Sequence, residues 1–384
     1  MSTQPVLRSK IGSSFATAAR QAVKELCEQI CQQHMDGVVF FCSSKFDLDH
    51  LGEYLKETFP CPIIGCTTAG EVTSAGYHEG TLVGASLGGD TDTGALRMHS
   101  HLLSPLGRLS GEDFEALASS AQEELVFSSA FNSKHMFGLL LVDGMSMLEE
   151  ITITHLHRWF RGVPIVGGSA GDDLNFQKTH VYHNGRFHSD AAVFTLFETT
   201  LPFITFKTQH FVPTETKLVI TEADPQNRRV IEIDGEPAAL AYANILGLKT
   251  DDLNPTVFSS YPLILQIGGN HYVRSIQKVN DDESLSFYCA IDNGLVLTLA
   301  KGIDLIENLQ KQLSAIRDVI PNPELVIGCD CILRRLEVQE KDLLSDVRDA
   351  LKKEKILGFS TYGEQFNAIH VNQTLTGVAI GGTP

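Results

Sequence analysis

The sequence is short of basic residues relative to acidic ones. Its 384 residues include 30 Lys and Arg against 47 Asp and Glu, which gives a formal net charge of −17. A surface with this charge repels phosphate backbones and anionic lipid headgroups, and no cluster of Lys and Arg stands out against it. We therefore expect neither nucleic acid nor a membrane surface as a partner.

Long apolar segments are also missing. No apolar run approaches the ~20 residues that a membrane-spanning helix needs. The first ten residues, MSTQPVLRSK, are polar, and the apolar core of a secretory signal does not follow them. The eight cysteines are scattered, unlike the dense and even spacing of a secreted disulfide scaffold. These features predict a protein of the reducing cytoplasm.

Two pairs of cysteines are close in sequence and allow more than one interpretation. Cys27 and Cys31 lie in a helix-like segment, whereas Cys329 and Cys331 end a strand-like segment that two arginines follow. Either pair is a candidate metal or redox site, and the arginines would lower the pKa of a neighbouring thiol. The simpler interpretation is that all four are small buried apolar residues.

One pattern occurs three times along the chain. A strand-like run, a helix-like run and a second strand that ends in a glycine-rich turn appear as GVVFFCSS…CPIIGCTTAGE, FGLLLVDG…VPIVGGSAGDD and ELVIGCDC…KILGFSTYGE. This order is typical of a βαβ unit, and a repeat of this kind defines the architecture. Each turn is followed by a strand-like segment with a histidine: His78, His183 and His370.

The three turns share glycine, hydroxyl and acidic positions. The positions are Gly65, Thr67, Gly70 and Glu71; Gly167, Ser169, Gly171 and Asp172; and Gly358, Ser360, Gly363 and Glu364, the middle copy being one residue shorter. None of the turns carries a G-K-[ST] lysine, and each ends in a carboxylate, which argues against phosphate binding.

The predicted fold class is α/β, with two domains of mixed β-sheets flanked by helices and built around the repeated βαβ units. The segment LPFITFKTQHFVP, residues 201–213, changes to a mixed aromatic and polar character. We place the domain boundary there, with two units in residues 1–205 and a β-rich part plus the third unit in residues 206–384. Asn184-Gly185 predicts a tight hairpin after the second turn.

The sequence GGSAG at residues 167–171 matches the nucleophile elbow of hydrolases, G-x-S-x-G. Ser169 would form a triad with His180 or His183 and with Asp172 or Asp173. However, the residues after the turn do not begin an apolar-periodic helix, and the other two turns carry a hydroxyl residue at the same position. A repeat feature is therefore the simpler interpretation.

His210 is the candidate axial ligand of a flat metal cofactor. Its neighbours Phe203, Phe206 and Phe211 can form an apolar wall while the imidazole binds iron. The sequence has no C-x-x-C-H motif, so covalent haem attachment through that motif is excluded. Considered alone, such a histidine is more often an ordinary packed side chain.

Several segments together resemble the FIST-domain family, and most closely its bacterial nitric oxide-sensing haemoprotein branch. They are IGCTTAGE, GGSAGDD and GFSTYGEQFNAIHVNQTLTGVAIGG, together with VRSIQKVN, AIDNGLVL and GCDCILRR. The resemblance spans nearly the whole chain, a FIST N part followed by a FIST C part. It implies a cytoplasmic, non-enzymatic sensor that binds haem b and nitric oxide. Its implied partner is a separate histidine kinase, diguanylate cyclase or phosphodiesterase, and a homodimer is compatible with it.

Within this resemblance His210, in QHFVP, is the expected axial ligand, because the wider family commonly has glycine at this position. His183 and His188 are the next candidates, and His370 ranks lower because it belongs to the repeated hairpin. Two other functions stay open. One is a haem-free FIST module with its three turns grouped around a small ligand such as an amino acid, and the other is a serine hydrolase that uses Ser169.

Overall fold

Three successive units with the same order of elements form most of the protein. The computed structural model describes residues 7–89 and 95–381. Each unit runs strand, helix, strand, helix, strand, hairpin and return strand, so the repeat is longer than the βαβ pattern in the sequence. The predicted α/β class with mixed sheets is confirmed.

The elements of the first unit are β1 (Arg8–Ser14), α1 (Ala19–Ile30), β2 (Met35–Ser43), α2 (Leu48–Thr58), β3 (Ile63–Thr68), β4 (Glu71–Thr73), β5 (Gly76–His78) and β6 (Leu82–Gly88). Those of the second unit are β7 (Leu96–Leu103), α3 (Gly111–Glu123), β8 (Met136–Val142), α4 (Glu149–Trp159), β9 (Ile165–Ser169), β10 (Val181–His183), β11 (Arg186–His188) and β12 (Ala192–Thr199).

The third unit begins with β13 (Phe203–Thr208) and is interrupted by an inserted region. The elements of this region are β14 (Phe211–Asp224), β15 (Arg229–Ile233), β16 (Glu236–Pro237), α5 (Ala238–Leu246), α6 (Pro255–Ser260), β17 (Leu263–Ile267), β18 (Asn270–Arg274), β19 (Ile276–Val279), β20 (Leu285–Phe287) and β21 (Val296–Gly302). The third unit then continues with α7 (Leu305–Val319), β22 (Pro323–Cys331), α8 (Ile332–Glu340), α9 (Leu344–Leu351), β23 (Ile356–Thr361), β24 (Glu364–Phe366), β25 (Ile369–Val371) and β26 (Leu375–Gly381).

Each unit forms a six-stranded mixed sheet around one parallel pair of strands. The parallel pairs are β2/β3, β8/β9 and β22/β23, and the return strand of each unit lies antiparallel beside the first member of its pair. Both faces of these sheets are covered, which explains why their strands read as continuous apolar runs.

The hairpin of each unit pairs with the sheet of another unit. The second unit's β10 pairs with β3, the third unit's β24 pairs with β9, and the first unit's β4 pairs with β23. This exchange closes the three sheets into a ring. Their inner faces enclose one apolar core, in which Phe41 stacks on Phe359 at 4.4 Å between ring centroids.

Helices cover the outer face of each sheet. Helices α1 and α2 pack on the first sheet, α3 and α4 on the second, and α7, α8 and α9 on the third. The apolar stripe of α7 consists of Leu305, Leu309, Leu313 and Ile316, and its N-terminus is capped by Asp304, which accepts a hydrogen bond from the Glu307 backbone. Among the described residues, no helix has the length and apolar character needed to cross a membrane.

The inserted region has a sheet of its own in the order β18-β17-β21-β14-β15-β20-β19, with β16 beside β15. Its apolar core is separate from that of the ring and includes Leu218, Tyr242 and Leu297. The division of the chain after residue 205 stays a prediction. The packing adds that the central core of the ring takes side chains from both sides of that position.

The predicted hairpin at Asn184-Gly185 is confirmed. These two residues connect β10 to β11 and have φ angles of 48° and 92°. Positive φ at both central positions is what a type I′ turn requires, and asparagine and glycine adopt it most readily.

The glycine that opens each repeated turn is explained by a close approach of two backbones. A Cβ atom on Gly65, Gly167 or Gly358 would overlap the carbonyl oxygen of the residue beside it, which is Phe40, Leu140 or Gly328 respectively. Backbone atoms of a parallel pair inside a ring cannot move apart without disturbing both sheet faces. The glycine is therefore required by packing in all three units.

We expect Gly358→Ala to lower the free energy of unfolding by about 1–3 kcal/mol, the usual cost of overpacking. Gly328→Ala, on the paired strand, is the matched control. Its Cβ would lie 3.4 Å and 3.6 Å from the side chains of Leu375 and Ile356, which is ordinary contact. We expect the control to be at least as stable as the wild type in urea denaturation. Equal stability of the two variants would contradict the backbone explanation.

Candidate functional site

His210 lies at the joint between the ring and the inserted region. It is fully buried between the end of β13 and the start of β14. Its backbone oxygen accepts a 2.7 Å hydrogen bond from the nitrogen of Ile303, which follows the last inserted strand β21. The two chain segments that enter and leave the inserted region are thus bonded together at His210.

Both ring nitrogens of His210 are engaged. A guanidinium nitrogen of Arg334 lies 2.9 Å from Nδ1, and a carboxylate oxygen of Glu337 lies 2.8 Å from Nε2. Because arginine can only donate, Nδ1 must accept, and the proton on Nε2 is donated to Glu337. Burial lowers the pKa of His210, and the charge of Arg334 adds to this effect. The imidazole is therefore neutral.

The two partners of His210 extend into a buried chain of charges. Arg334 also donates through Nε to Asp330 at 2.8 Å, and Asp330 accepts a further hydrogen bond from the hydroxyl of Tyr77. At the other end, Lys341 donates to Glu337 at 2.6 Å and is half exposed. We call the set Tyr77, Asp330, Arg334, His210, Glu337 and Lys341 the His210 network.

The three phenylalanines expected around His210 lie in different cores. Phe211 contacts the imidazole, with 4.2 Å between ring centroids. Phe203 instead packs on Phe137 at the central core of the ring, and Phe206 packs among the helices on the outer face of the third sheet. Only one of the three therefore contributes a wall next to His210.

The two other candidate ligands lie on the hairpin of the second unit. His183 is half-buried in β10, where its Nε2 is 3.3 Å from the backbone oxygen of Ser100. Burial lowers its pKa. His188 is in β11, paired opposite Val181 and partly exposed. In the described part of the chain, no group of three or more His, Cys, Asp or Glu side chains is arranged to hold a metal ion.

Ser169 is not positioned as a nucleophile by the contacts around it. It is fully buried, and its hydroxyl accepts a hydrogen bond from the amide of Gln365 at 3.0 Å. Asp172 accepts hydrogen bonds from three backbone nitrogens of its own loop and from Tyr362, while Asp173 bonds Ser43 and Ser44. His180 bonds Thr67 through its backbone, and Nε2 of His183 lies 3.3 Å from the backbone oxygen of Ser100. The structure thus does not bring the proposed triad together.

The cysteines differ from what the sequence predicted. Cys27 and Cys31 are partly exposed and joined by a disulfide, so the interpretation of this pair as small buried apolar residues is wrong. Cys329 and Cys331 are buried free thiols. Burial, followed by the charge of Glu364, raises the pKa of both. The hypothesis that the following arginines activate a thiol there is therefore wrong, since Arg334 is directed at Asp330 and His210.

The three glycine-rich turns contact one another. The backbone nitrogens of Thr67, Ser169 and Ser360 donate to the oxygens of His180, Gly363 and Gly70, at 2.7 to 2.9 Å. The nitrogens of Gly171, Tyr362 and Ala69 donate back to the oxygens of Thr67, Ser169 and Ser360, at 2.9 to 3.2 Å. The turns therefore bond one another in a closed cycle, which the hydroxyl residues of the repeat join through their backbone atoms.

The acidic residue that ends two of the turns is buried and held by threonines. Glu364 accepts hydrogen bonds from Thr361 at 3.0 Å and from the hydroxyl of Thr374 at 2.8 Å. Glu71 repeats this arrangement in the first unit, where its partners are Thr68 and Thr81. Burial raises the pKa of Glu71 to about 7 and that of Glu364 to about 8.

A second group of buried polar side chains lies where the third unit meets the inserted region. Gln365 is 3.3 Å from Nδ1 of His370, and Arg274 donates to the backbone oxygen of His370 at 3.2 Å. Within the described residues, Oε1 of Gln365, Nε2 of His370 and Nε of Arg274 are buried with no hydrogen-bond partner. We call these three residues the junction cluster. Burial lowers the pKa of His370, although Glu150 opposes the shift.

Two family models match the chain in the order that the sequence predicts. The FIST N domain matches residues 36–236, more than half of the chain, and the FIST C domain matches residues 238–367. The chain belongs to the FIST family. FIST domains are sensor modules of signal transduction, so a sensory role follows from membership. The inserted region lies mostly in the FIST C match, together with the continued third unit.

A curated relative of this FIST protein is an uncharacterised protein of Methanocaldococcus jannaschii. It is 26% identical over 255 residues, which are 56% of this chain and 48% of the relative. The match thus spans about half the length of the relative.

The His210 network was only partly visible in the sequence. The spacing of Asp330 and Arg334, four residues apart across the start of a helix, is a signal of a local ion pair. Nothing local indicates that Arg334 would reach His210, 124 positions away. Tyr77 is further still from its partner Asp330 and comes from the exchanged hairpin of the first unit. These contacts depend on ring closure.

Proposed function

We propose that this FIST protein is a nitric oxide sensor that carries haem b and regulates a separate histidine kinase or cyclic-di-GMP enzyme. Membership of a sensor family and the likeness of its motifs to the nitric oxide-sensing branch favour this function. The structural observation that favours it most is the location of His210, a buried neutral imidazole at the joint of two parts of the molecule. The cytoplasmic location and a homodimer stay predictions.

The joint suits a sensor because the two chain segments that connect the ring to the inserted region meet there. Residues 208–211 lead into the inserted region and residues 302–304 lead out of it, and the hydrogen bond from Ile303 to His210 joins them. A change in what His210 binds would alter both connections together. Such a change would shift the inserted region relative to the ring, which is the type of hinge movement that exposes or hides a partner surface.

The described contacts of His210 do not fit an axial haem ligand as they stand. Both nitrogens have partners, and the side chain is closed in by Arg334, Glu337 and Phe211. His370 has a free Nε2, but its ring lies so close to Gly363 that a Cβ there would overlap it. Bound haem would supply an iron for nitric oxide. Iron at His210 would require Arg334 or Glu337 to give up its bond.

Titration of the purified protein with hemin tests the haem proposal. We expect a Soret band that saturates at one equivalent, since one imidazole holds one porphyrin. His210→Ala should lose the band or weaken hemin binding by at least tenfold, whereas His157→Ala, exposed on α4, should not change it. The same substitutions at His183 and His188 cover the other candidates. No Soret band in the wild type would contradict haem binding, and an unchanged His210→Ala would contradict only the choice of ligand.

A haem-free sensor of a small polar ligand such as an amino acid is the second candidate. The unpaired polar atoms of the junction cluster favour it, because buried groups without partners are costly and a ligand would satisfy them. Arg274 suits a carboxylate because its guanidinium can donate two parallel hydrogen bonds. Thermal shifts with the twenty amino acids, compared between the wild type and Arg274→Met, decide it. A shift that the variant keeps would place the ligand elsewhere.

A further inference from the structure

A narrow cavity lies on the outer face of the third sheet, beneath α7 and α9. Its volume is about 20 Å³ for a water-sized occupant. Most of its wall is formed by buried apolar side chains: Leu305, Leu309, Val347, Leu351, Ile356 and Leu375. An apolar wall of this kind makes few favourable contacts with water.

The cavity exists because the third unit has a glycine at a position where the other two units have a large side chain. The strand position that pairs with the turn glycine is Phe40 in the first unit and Leu140 in the second, and both side chains are buried beneath the helices of their own unit. The equivalent position in the third unit is Gly328, which lines the cavity. The two strands beside it also present glycine, at 358 and 377.

One end of the cavity is polar and belongs to the His210 network. Tyr77, Asp330 and Arg334 line this end. Tyr77 donates to Asp330, and Arg334 donates to Asp330 and His210. These bonds link the three polar groups to one another and to His210. Arg334 thus separates the cavity from His210, so the space is one residue away from the joint.

The size and lining identify the class of occupant. A space of about 20 Å³ admits a molecule of one or two heavy atoms and excludes an amino acid or a porphyrin. A buried water needs two to four polar partners, and the apolar side chains that form most of the wall offer none. A small apolar molecule loses no hydrogen bonds on entering and gains dispersion contacts with the whole wall.

We infer that this cavity is a binding site for a small apolar molecule of diatomic size. Its identification as a docking site for nitric oxide on the way to the His210 network rests on the function proposed above. The site itself does not, because it follows from Gly328 and from the apolar wall. It also gives the glycine at position 328 a role that the repeat alone does not explain.

Xenon is the probe, since it is a single apolar and chemically inert atom. We expect one xenon site beneath α7 and α9, in xenon-pressurised crystals or as a saturable ¹²⁹Xe chemical shift, in protein without haem or nitric oxide. Gly328→Ala should abolish it, because the added methyl enters the cavity at ordinary contact distance from Leu375 and Ile356. Gly107→Ala, whose Cβ meets only Leu148 at 4.0 Å, is the control and should keep the site.

Val347→Ile adds a methyl group from the opposite wall of the cavity. It is the second filled variant and replaces Gly328→Ala if that variant does not fold. Absence of xenon from the wild type, an ordered water in its place, or full retention by both filled variants would overturn the inference. Because the assay needs no haem, a xenon site together with failed hemin binding would leave the cavity standing and remove only the gas-sensing function.

Discussion

Arg334→Met is expected to destabilise the protein by about 3–5 kcal/mol, the usual cost of removing one partner from a buried ion pair. Arg334 is 2% exposed and donates to both Asp330 and His210. Without it, the carboxylate of Asp330 keeps only Tyr77 as a partner among the described residues, and Nδ1 of His210 loses its donor. The measurement is the free energy of unfolding from urea denaturation monitored by fluorescence and circular dichroism.

Two further variants test whether the loss of stability comes from the charge of Arg334 rather than from the size of its side chain. Lys311→Met removes an exposed cation of α7 that pairs with Glu307, and should change stability by less than about 0.5 kcal/mol. Asp330→Leu combined with Arg334→Met removes the charges of both partners and should recover part of the loss. An Arg334→Met variant as stable as the Lys311→Met control would show that the His210 network is not formed in solution.

Stability is expected to fall between about pH 5 and pH 8.5 through Glu364, and Glu364→Gln should abolish this contribution. The folded pKa of about 8 is above the ordinary value of 4.5, because burial disfavours the charged form. The folded protein therefore binds a proton that the unfolded chain releases near pH 4.5. At ~1.4 kcal/mol for each unit of pKa difference, the stabilisation lost is on the order of 5 kcal/mol.

The measurement is the unfolding free energy of the wild type minus that of Glu364→Gln, at pH values from 5 to 9. The buried histidines act in the opposite direction, because their lowered pKa values make stability rise with pH at the acidic end of this range. Both proteins contain these histidines, so their contribution cancels in the difference. The difference should decline steadily up to about pH 8. Glu307→Gln, at an exposed position, is the matched control. A wild-type minus Glu364→Gln difference that does not change with pH would mean that water reaches the carboxylate of Glu364 in the folded wild type.

The sequence was sufficient for the repeated units and for the class of fold, because strand runs, turn glycines and the Asn184-Gly185 hairpin are local signals. It also indicated that the three turns are related. It could not show that each hairpin joins a neighbouring sheet, because exchange between units depends on pairings such as Val181 with Cys66, 115 positions apart. Nor did it show that β13 and α7 belong to one unit interrupted by the inserted region.

The candidate site was predicted less completely than the fold. His210 was singled out from its apolar neighbours, yet its bonded partners come from α8 and only Phe211 of the expected wall contacts it. In the folded protein, Arg334 and Glu337 lie on successive turns of α8, and both bond the buried imidazole of His210. The sequence neighbours of His210 thus indicated its strand. Its hydrogen-bond partners come instead from α8, where Arg334 is 124 positions away.

Addition of nitric oxide to the ferrous, haem-loaded protein under anaerobic conditions tests the proposed sensor most directly. We expect one equivalent to shift the Soret band and to change amide hydrogen exchange at residues 208–211 and 302–304, the two connections that meet at His210. An unchanged spectrum would contradict nitric oxide sensing by this protein. A shifted spectrum with unchanged exchange at both connections would contradict the role of the joint.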